Sequence, residues 1–260
     1  MEESGMLKTE EIEKWKDALI TAHANGALKP VLADGYSDLT LDDAYKVQKA
    51  LASELAQSDP ISGFKAALSS RAAQKARGID TPLYGILFQS GEYRTGKILD
   101  TGRFGRCMLE TEIGYRLLES IREVPPPGEV RSLVTAFPML EFPDIGFDKP
   151  DRMGTFDLVA GNSASASYMV GQAATEIEPD EVVVSLYREG EKAYEGKGSD
   201  AMDNQWKAVG WLIQQIIEAG YEIKEGQYLM TGSLGMPIPC IPGQYVADYG
   251  SFGRIEFEAV

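Results

Sequence analysis

The amino-acid sequence predicts an α+β fold in which a small N-terminal helical domain precedes a mixed β-sheet, either rolled or packed as a sandwich. Two amphipathic helical patterns come first, at residues 9–25 and 40–57, and the chain then turns extended. Short apolar or alternating runs follow one another with Gly and Pro between them, which is typical of a sheet. We therefore expect a helical domain with the first strand at residues 1–77 and a mixed-β domain at residues 78–260.

Three further helices are predicted beyond these two. A short one covers residues 69–77, a second covers 127–136, and a third covers 204–219, where apolar residues recur every three or four positions. Strand-like runs lie at 61–68, 108–118, 137–142, 165–170, 182–187, 244–249 and 254–258.

The composition is that of a globular chain. Of the 260 residues 43% are hydrophobic, and no run approaches the roughly 18 apolar residues that a membrane span needs. Because the N-terminus lacks the apolar core of a secretory signal, we expect a soluble, cytoplasmic protein without a membrane partner. The two cysteines, Cys107 and Cys240, are too few for a disulfide framework and are expected to be buried thiols.

Charge and histidine content exclude several classes of function. The formal charge of −15, from 40 acidic and 25 basic residues, would repel a phosphate backbone, so no nucleic-acid partner is expected. The single histidine, His23, lies in a polar stretch, which leaves Ser-His-Asp and Cys-His mechanisms without a base. Chemistry in this chain must therefore use carboxylates, Lys, Tyr or a metal ion.

Two glutamates share one face of a predicted strand. Strand alternation in residues 108–118 places Glu110 and Glu112 on the face opposite Thr111 and its apolar neighbours. Like charges so placed repel each other, so this face is either solvated or forms the wall of a cation site. Exposed glutamates are common, and these two residues alone leave both interpretations open.

Glu141 favours the cation site. It lies near the end of the apolar run 137–142, where an ionised carboxylate is costly unless it is paired, bound to a metal ion or able to reach water at the strand end. Three carboxylates without His or Cys offer only hard oxygen ligands, which suit Mg²⁺ or Mn²⁺ better than zinc.

Lys65 is a basic residue in an otherwise apolar strand. Its ammonium could face the same site, or its stem could pack while the charge reaches water. In the first case the ammonium would neutralise a substrate carboxylate or donate a hydrogen bond to a developing negative charge.

Together these motifs resemble the 2-keto-4-pentenoate hydratase and 4-oxalocrotonate decarboxylase branch of the fumarylacetoacetase-like superfamily. That branch has a Glu-x-Glu motif followed about thirty positions later by Glu, as Glu110, Glu112 and Glu141 are here. Other matching segments lie at 43–48, 63–70, 159–162, 230–234, 242–243 and 248–253, in the family's order. The resemblance runs from the first helix to the C-terminus and implies a sheet of the fumarylacetoacetase C-terminal-domain type.

The resemblance also implies a site. Glu110, Glu112 and Glu141 would hold Mg²⁺ or Mn²⁺, which a small 2-oxo acid chelates through its 1-carboxylate and 2-oxo group. Lys65 would line the pocket. By motif position alone Ser69, Ser70, Tyr84, Asn162 and Ser233 are candidate substrate contacts, although each could instead cap a helix, satisfy a turn or pack in the core.

Residues 78–85 bear on which reaction the resemblance implies. Hydratases of this branch carry Pro-Asp followed by an aromatic residue and Gly, with the Asp as acid/base, whereas this chain has Leu83. Because an apolar side chain cannot move a proton but suits a dehydrated decarboxylation site, we expect a 2-oxo-3-enedioate decarboxylase acting through a metal-stabilised dienolate. The alternatives are a hydratase of 2-hydroxy-dienoates, and a non-catalytic partner of such an enzyme. The resemblance further implies a homo-oligomer that associates with a homologous hydratase or decarboxylase.

Overall fold

The structure is a computed structural model that describes residues 7–36, 38–126, 128–172 and 177–260. Within these ranges the chain forms five α-helices. They are α1 (Thr9–Ala24), α2 (Leu41–Leu55), α3 (Arg71–Ala76), α4 (Thr155–Ala160) and α5 (Gln205–Glu218).

The same ranges contain thirteen strands in two sheets. The strands are β1 (Ile61–Ala67), β2 (Leu83–Phe88), β3 (Glu92–Arg94), β4 (Ile98–Leu99), β5 (Met108–Leu117), β6 (Val134–Phe142), β7 (Ser167–Val170), β8 (Val183–Arg188), β9 (Glu191–Lys197), β10 (Tyr228–Met230), β11 (Ile238–Pro239), β12 (Gly243–Asp248) and β13 (Arg254–Ala259). In the larger sheet the order is β2-β1-β10-β5-β6-β7-β3, with β11 paired to β5, and in the smaller sheet it is β4-β13-β12-β8-β9.

The larger sheet is strongly curled. Tyr168 on β7 donates its hydroxyl hydrogen to Ser62 Oγ on β1 at 2.8 Å, although three strands separate β1 from β7 in the sheet order. Adjacent strands lie about 4.8 Å apart, so in a flat sheet these two would be roughly 19 Å apart. The sheet therefore closes into a roll, and side chains on its inner face meet. Leu87, Met139, Tyr168, Val170, Tyr228 and Met230 form one such cluster.

The outer face of the roll packs against α5 and the smaller sheet. Phe142 of β6, for example, contacts Phe257 of β13 edge-on, with 5.2 Å between ring centroids. The main hydrophobic core lies in this layer and includes Ile113, Tyr115 and Ile213, all fully buried. Burial of such side chains contributes about 1.5–3 kcal/mol each, which makes this layer the principal support of β5 and β6.

The N-terminal helices form a second core beside the roll. The apolar face of α2, with Val47 and Leu51, packs against α1 and α4, and Leu83 at the start of β2 belongs to the same cluster. Thr40 caps α2 by accepting a hydrogen bond from Asp43 N at 3.2 Å, while Asp43 Oδ2 accepts one from Thr40 N at 3.3 Å.

The α+β class and the curled mixed sheet agree with the sequence prediction, and four predicted helices lie within a few residues of α1, α2, α3 and α5. Cys107 and Cys240 are buried free thiols, as predicted. Among the described residues no helix is long and apolar enough to cross a bilayer. The domain boundary after residue 77 stays a prediction; β1 on one side of it hydrogen-bonds to β2 on the other.

One helix prediction is wrong. Of the predicted range 127–136, Pro127 lies outside the described residues, and the remainder forms a 3₁₀ turn at Val130–Leu133 and the first residues of β6. β-branched Val134 and Thr135 favour a strand, and both pair with β5. Tertiary pairing thus overrides the local helical pattern.

Candidate functional site

The polar residues that the sequence singled out converge on the inner face of the roll. In the β5–β6 ladder Glu110 lies directly opposite Glu141, and Glu112 lies opposite Met139. Residues paired directly across two strands share a face, so all three glutamates point inward. Lys65 lies on the same face. It pairs with Met230 of β10, and Met230 pairs with Gly114 of β5, which is two residues from Glu112 and so shares its face.

The three carboxylates form a compact cluster. One ligand oxygen from each of Glu110, Glu112 and Glu141 lies within 4.8 Å of the others. Glu112 is fully buried and Glu141 is 1% exposed, whereas Glu110 remains partly accessible. Neither the solvated-face interpretation of Glu112 nor the water-reaching interpretation of Glu141 is therefore correct.

Lys65 is bound to this cluster. Its Nζ lies 3.0 Å from Glu141 Oε1, and the side chain is 3% exposed. The alternative in which the ammonium reaches water is therefore wrong. Gly85, opposite Lys65 on β2, leaves room for the lysine stem, since a Cβ there would lie 3.2 Å from Lys65 Cε and 2.8 Å from the Asn162 carbonyl oxygen.

Several buried oxygens in the cluster lack a hydrogen-bond partner within the described part of the chain. They include Glu112 Oε1 and Glu141 Oε2, together with the nearby hydroxyl of Ser233. Buried polar atoms without partners are rare and mark a place where an ion, a water molecule or a ligand is expected. The donor that Glu112 does have is Gly232 N, 2.8 Å from its other oxygen.

Burial dominates the electrostatics of the site. It raises the pKa of Glu110 to about 7, with repulsion from Glu141 as the second cause and the Lys65 charge opposing both. Burial also raises the pKa of Glu112 well above its usual range, and repulsion from the other two carboxylates adds to this. For Glu141, burial raises the pKa while the adjacent Lys65 ammonium lowers it. If all three carboxylates are ionised, the Lys65 ammonium balances one of them, and two negative charges stay uncompensated within the described part of the chain.

This donor set fits a hard divalent cation. Three neighbouring carboxylates without His or Cys offer the oxygen ligands that Mg²⁺ and Mn²⁺ prefer. The charge of a divalent cation would also balance the two negative charges that Lys65 leaves. The oxygens without partners point to the same conclusion, because a buried carboxylate is costly unless it is paired or ligates a metal.

Two of the predicted substrate contacts border the cluster. Gly232 has a φ of 107°, and a Cβ there would lie 2.1 Å from Ser69 Oγ, so the buried Ser69 stands directly against the segment that binds Glu112. Ser233 follows in that segment with its unpartnered hydroxyl. Both residues are placed where a ligand of the carboxylate cluster could be contacted, and this role stays a prediction.

The other predicted contacts are engaged in the fold. Ser70 Oγ accepts from Ala73 N at 3.2 Å and caps α3. Asn162 makes two hydrogen bonds of 2.8 Å with the backbone of Ile86. Tyr84 stacks on Tyr45 with 4.3 Å between ring centroids. A substrate role for these three stays a prediction, and each already has the structural function that the alternative interpretation proposed.

Leu83 lies on the Lys65 face of β2. It pairs with Ala67, two positions along from the Lys65–Gly85 pair, and is fully buried among the apolar residues of the N-terminal core. A part for Leu83 in the reaction stays a prediction.

Sequence reasoning missed the backbone donor Gly232 N and two tyrosine hydroxyls, of Tyr194 and Tyr249, that contact the backbone of β5. For Gly232 N, the local signal in the sequence was the glycine itself, between Thr231 and Ser233. The tyrosines carried no signal, because Tyr194 lies in β9 and Tyr249 directly follows β12, both strands of the smaller sheet, and they meet β5 through tertiary packing.

The chain is similar in sequence to known hydratases and decarboxylases. No protein-family model matches the chain. The 2-keto-4-pentenoate hydratase of Paraburkholderia xenovorans (strain LB400) is 28% identical over 260 residues, which cover 95% of each chain. The 4-oxalocrotonate decarboxylase of Pseudomonas sp. (strain CF600) is 25% identical over 228 residues, 84% of each chain.

A solved structure agrees over nearly the whole molecule. The 4-oxalocrotonate decarboxylase of Pseudomonas putida G7, complexed with magnesium and adipate, superimposes with a TM-score of 0.91 over 98% of this chain and 99% of that one. The sequence identity of 22% makes this a likeness of fold. In sequence the chain is therefore a homologue of 2-keto-4-pentenoate hydratases and 4-oxalocrotonate decarboxylases, and its fold is that of the solved decarboxylase.

Proposed function

We propose that the protein is a divalent-metal-dependent lyase that decarboxylates a 2-oxo-3-enedioate. Glu110, Glu112 and Glu141 would hold Mg²⁺ or Mn²⁺. The support is the buried carboxylate cluster with its partnerless oxygens. A structural neighbour that bears magnesium together with a six-carbon dicarboxylate supports both the metal and the substrate class.

The bound ion would supply Lewis acidity toward the 2-oxo group of the substrate. The reaction breaks the bond between the distal carboxylate and its carbon, and the electron pair moves through the conjugated chain to the 2-oxo oxygen. Carbon dioxide leaves, and protonation of that oxygen gives the 2-hydroxy-dienoate. No water molecule is consumed.

Lys65 has a defined part in this scheme. Its buried ammonium, 3.0 Å from Glu141, would neutralise a substrate carboxylate and donate a hydrogen bond to the oxygen that gains negative charge. Gly232 N fixes one oxygen of Glu112, which leaves the other free for the ion. Ser69 and Ser233 would orient the substrate through their hydroxyls.

Leu83 is the observation that favours decarboxylation. Hydration needs a group that delivers a proton and positions water, whereas Leu83 presents a fully buried apolar side chain on the Lys65 face of β2. An apolar wall excludes competing water and favours loss of charge from the departing carboxylate.

A hydratase is the second candidate, since the hydratase relative reported above is slightly more identical to this chain than the decarboxylase relative. A non-catalytic partner of such an enzyme is the third, and the intact carboxylate cluster with Lys65 argues against it.

Product analysis by NMR separates the three candidates. The protein is incubated with Mg²⁺ or Mn²⁺ and either 2-oxo-3-hexenedioate or a 2-hydroxy-dienoate. Release of CO₂ with accumulation of the 2-hydroxy-dienoate is expected. Conversion of the 2-hydroxy-dienoate to a 4-hydroxy-2-oxo acid, with the enedioate untouched, would establish the hydratase instead. Metal binding without turnover of either compound would require another 2-oxo acid or the non-catalytic role.

A further inference from the structure

The strand segment that carries the metal-site glutamates has a gap in its backbone pairing. On one side of β5, β10 pairs as far as Gly114 and β11 pairs with Leu109 and Met108, so neither strand reaches Thr111. The backbone of Thr111 points to that side, because Leu234 N donates to Thr111 O at 2.7 Å. Thr111 lies between Glu110 and Glu112, and its N–H therefore needs another acceptor.

The gap has a cause in the site itself. The chain leaves the β10 direction at Gly232, which has a φ of 107°, and the Gly232 N–H donates to Glu112 Oε2 at 2.8 Å. Continued pairing of β10 with β5 would remove that hydrogen bond. β5 thus lacks regular strand pairing at Thr111, and the segment that would supply it donates a hydrogen bond to Glu112 instead.

Tyr194 of β9 fills the gap. Its hydroxyl oxygen accepts from Thr111 N at 3.2 Å, and the hydroxyl donates to Thr111 Oγ1 at 3.1 Å. Thr111 Oγ1 in turn donates to Leu234 O at 2.9 Å. Every donor in this chain has an acceptor, so the arrangement is complete and directional.

Tyr249 holds the other side of the same segment. Its hydroxyl donates to Met139 O at 2.6 Å and accepts from Glu112 N at 3.3 Å. Glu112 and Met139 face each other in the β5–β6 ladder, two residue pairs from the Glu110–Glu141 pair. A single hydroxyl therefore bridges the two strands whose carboxylates form the cluster.

We infer that Tyr194 and Tyr249 are positioning residues that set the divalent-metal affinity of the glutamate cluster. Three ionised carboxylates within 4.8 Å repel one another, and this repulsion acts to separate β5 from β6 near Glu110 and Glu141. The two hydroxyls resist that movement from the opposite face of the strand. Substitution of residues that orient metal ligands without binding the metal commonly lowers metal affinity by about 10–100-fold. The inference rests on the proposed function, because it takes the cluster to be a metal site.

The test is Mn²⁺ titration followed by electron paramagnetic resonance, which reports free Mn²⁺ and needs no turnover. Tyr194→Phe and Tyr249→Phe remove one oxygen each, and we expect each to raise the Mn²⁺ Kd by about tenfold. Tyr221→Phe is the matched control, because its buried hydroxyl has no hydrogen-bond partner within the described residues and its loss should leave the Kd within twofold of wild type.

Melting temperatures measured with and without Mn²⁺ separate positioning from a purely structural role. A purely structural tyrosine would lower both temperatures equally and leave the Kd unchanged. If a tyrosine positions the glutamates, its loss should reduce the rise in melting temperature that Mn²⁺ causes, since stabilisation by a ligand falls as its Kd rises. Should Tyr249→Phe fail to fold, Thr111→Val tests the Tyr194 side by removing the hydroxyl that joins it to Leu234, and an increased Kd is again expected.

Two failures can be distinguished. Wild-type protein that binds no Mn²⁺ would overturn the metal site of the proposed function, and the inference with it. Wild-type protein that binds Mn²⁺, together with Tyr194→Phe and Tyr249→Phe variants within twofold of its Kd, would overturn the inference alone.

Discussion

Lys65 and Glu141 form a buried ion pair, with Nζ 3.0 Å from Oε1, although β10 and β5 separate their strands in the sheet. A flat sheet would place their strands roughly 14 Å apart. The pair therefore exists because the sheet is curled, and it joins Lys65 to the carboxylate cluster. A buried pair of this kind is costly to break, since one charge would remain without a partner.

The first prediction concerns Lys65. Lys65→Met keeps most of the stem and removes the charge, so kcat/KM for decarboxylation should fall by roughly 2–4 kcal/mol equivalent, or about 30- to 1000-fold, through loss of a buried charge-assisted hydrogen bond. Steady-state kinetics at saturating Mn²⁺ measure this. Lys75→Met, on the exposed face of α3, is the control and should retain wild-type kinetics. Near-normal turnover of Lys65→Met would show that Lys65 does not act on the substrate.

How far the sequence predicted this site depends on the range of the interactions. Strand alternation is local, and it correctly put Glu110 and Glu112 on one face. The partner of Lys65 could not be predicted from pattern, because it depends on the curl of a sheet whose strands come from distant parts of the chain. The same limit explains why β2 is absent from the predicted strands, since its pairing with β1 defines it.

Local patterns also failed where tertiary pairing decided the outcome. The predicted helix at residues 127–136 is wrong in this way, because Val134 and Thr135 belong to the β5–β6 ladder that places Glu141 opposite Glu110. Tyr194 lies in β9 of the smaller sheet and Tyr249 directly follows β12, and nothing near them in the sequence marks contact with β5. Short-range periodicity thus located the three glutamates, whereas the residues that contact their strand could be identified only from the packed structure.

The second prediction tests the carboxylate cluster. Glu110→Gln keeps the volume of the side chain and removes one negative ligand, so Mn²⁺ binding measured by isothermal titration should be lost. The melting temperature of the metal-free variant at pH 8 should rise, because repulsion from Glu141 and the burial of one charge are both relieved. Glu119→Gln, at an exposed position just beyond β5, should change neither quantity. Unchanged Mn²⁺ binding in Glu110→Gln would refute the metal site.

The third prediction is a pH dependence. Burial raises the pKa of Glu110 to about 7, and it also raises the pKa of Glu112 and of Glu141. A carboxyl group whose pKa is raised in the folded state binds its proton more tightly than in the unfolded chain. Its contribution to stability is fully present below its unfolded pKa of about 4.5 and is lost as pH rises through about 7.

The free energy of unfolding of metal-free protein should therefore fall between pH 5 and pH 8, measured by urea denaturation in the presence of a chelator. Mn²⁺ affinity should rise over the same range, because the ion displaces protons from the carboxylates. Glu110→Gln removes one titrating group and should flatten the stability profile. Stability that increases with pH in this window would contradict the assignment of raised pKa values to the cluster.

The fourth prediction concerns Leu83 and the class of reaction. Leu83→Asp places a carboxylate beside the strand that carries Lys65, where it would repel the anionic substrate and admit water, so decarboxylation should fall sharply. Weak hydration of a 2-hydroxy-dienoate could appear, although one residue rarely supplies a complete shell for positioning water. Product analysis by NMR measures both reactions.

Because Leu83 is fully buried in the N-terminal core, the aspartate also costs folding stability, and the melting temperature of each variant must be measured. Leu83→Met conserves volume and polarity and should retain decarboxylation, which makes it the matched control. Leu83→Thr introduces a smaller polar group and replaces the Asp variant if that protein does not fold. Decarboxylation at the wild-type rate in a folded Leu83→Asp or Leu83→Thr protein would mean that an apolar wall at this position is not required, and the preference for a decarboxylase over a hydratase would lose its main support.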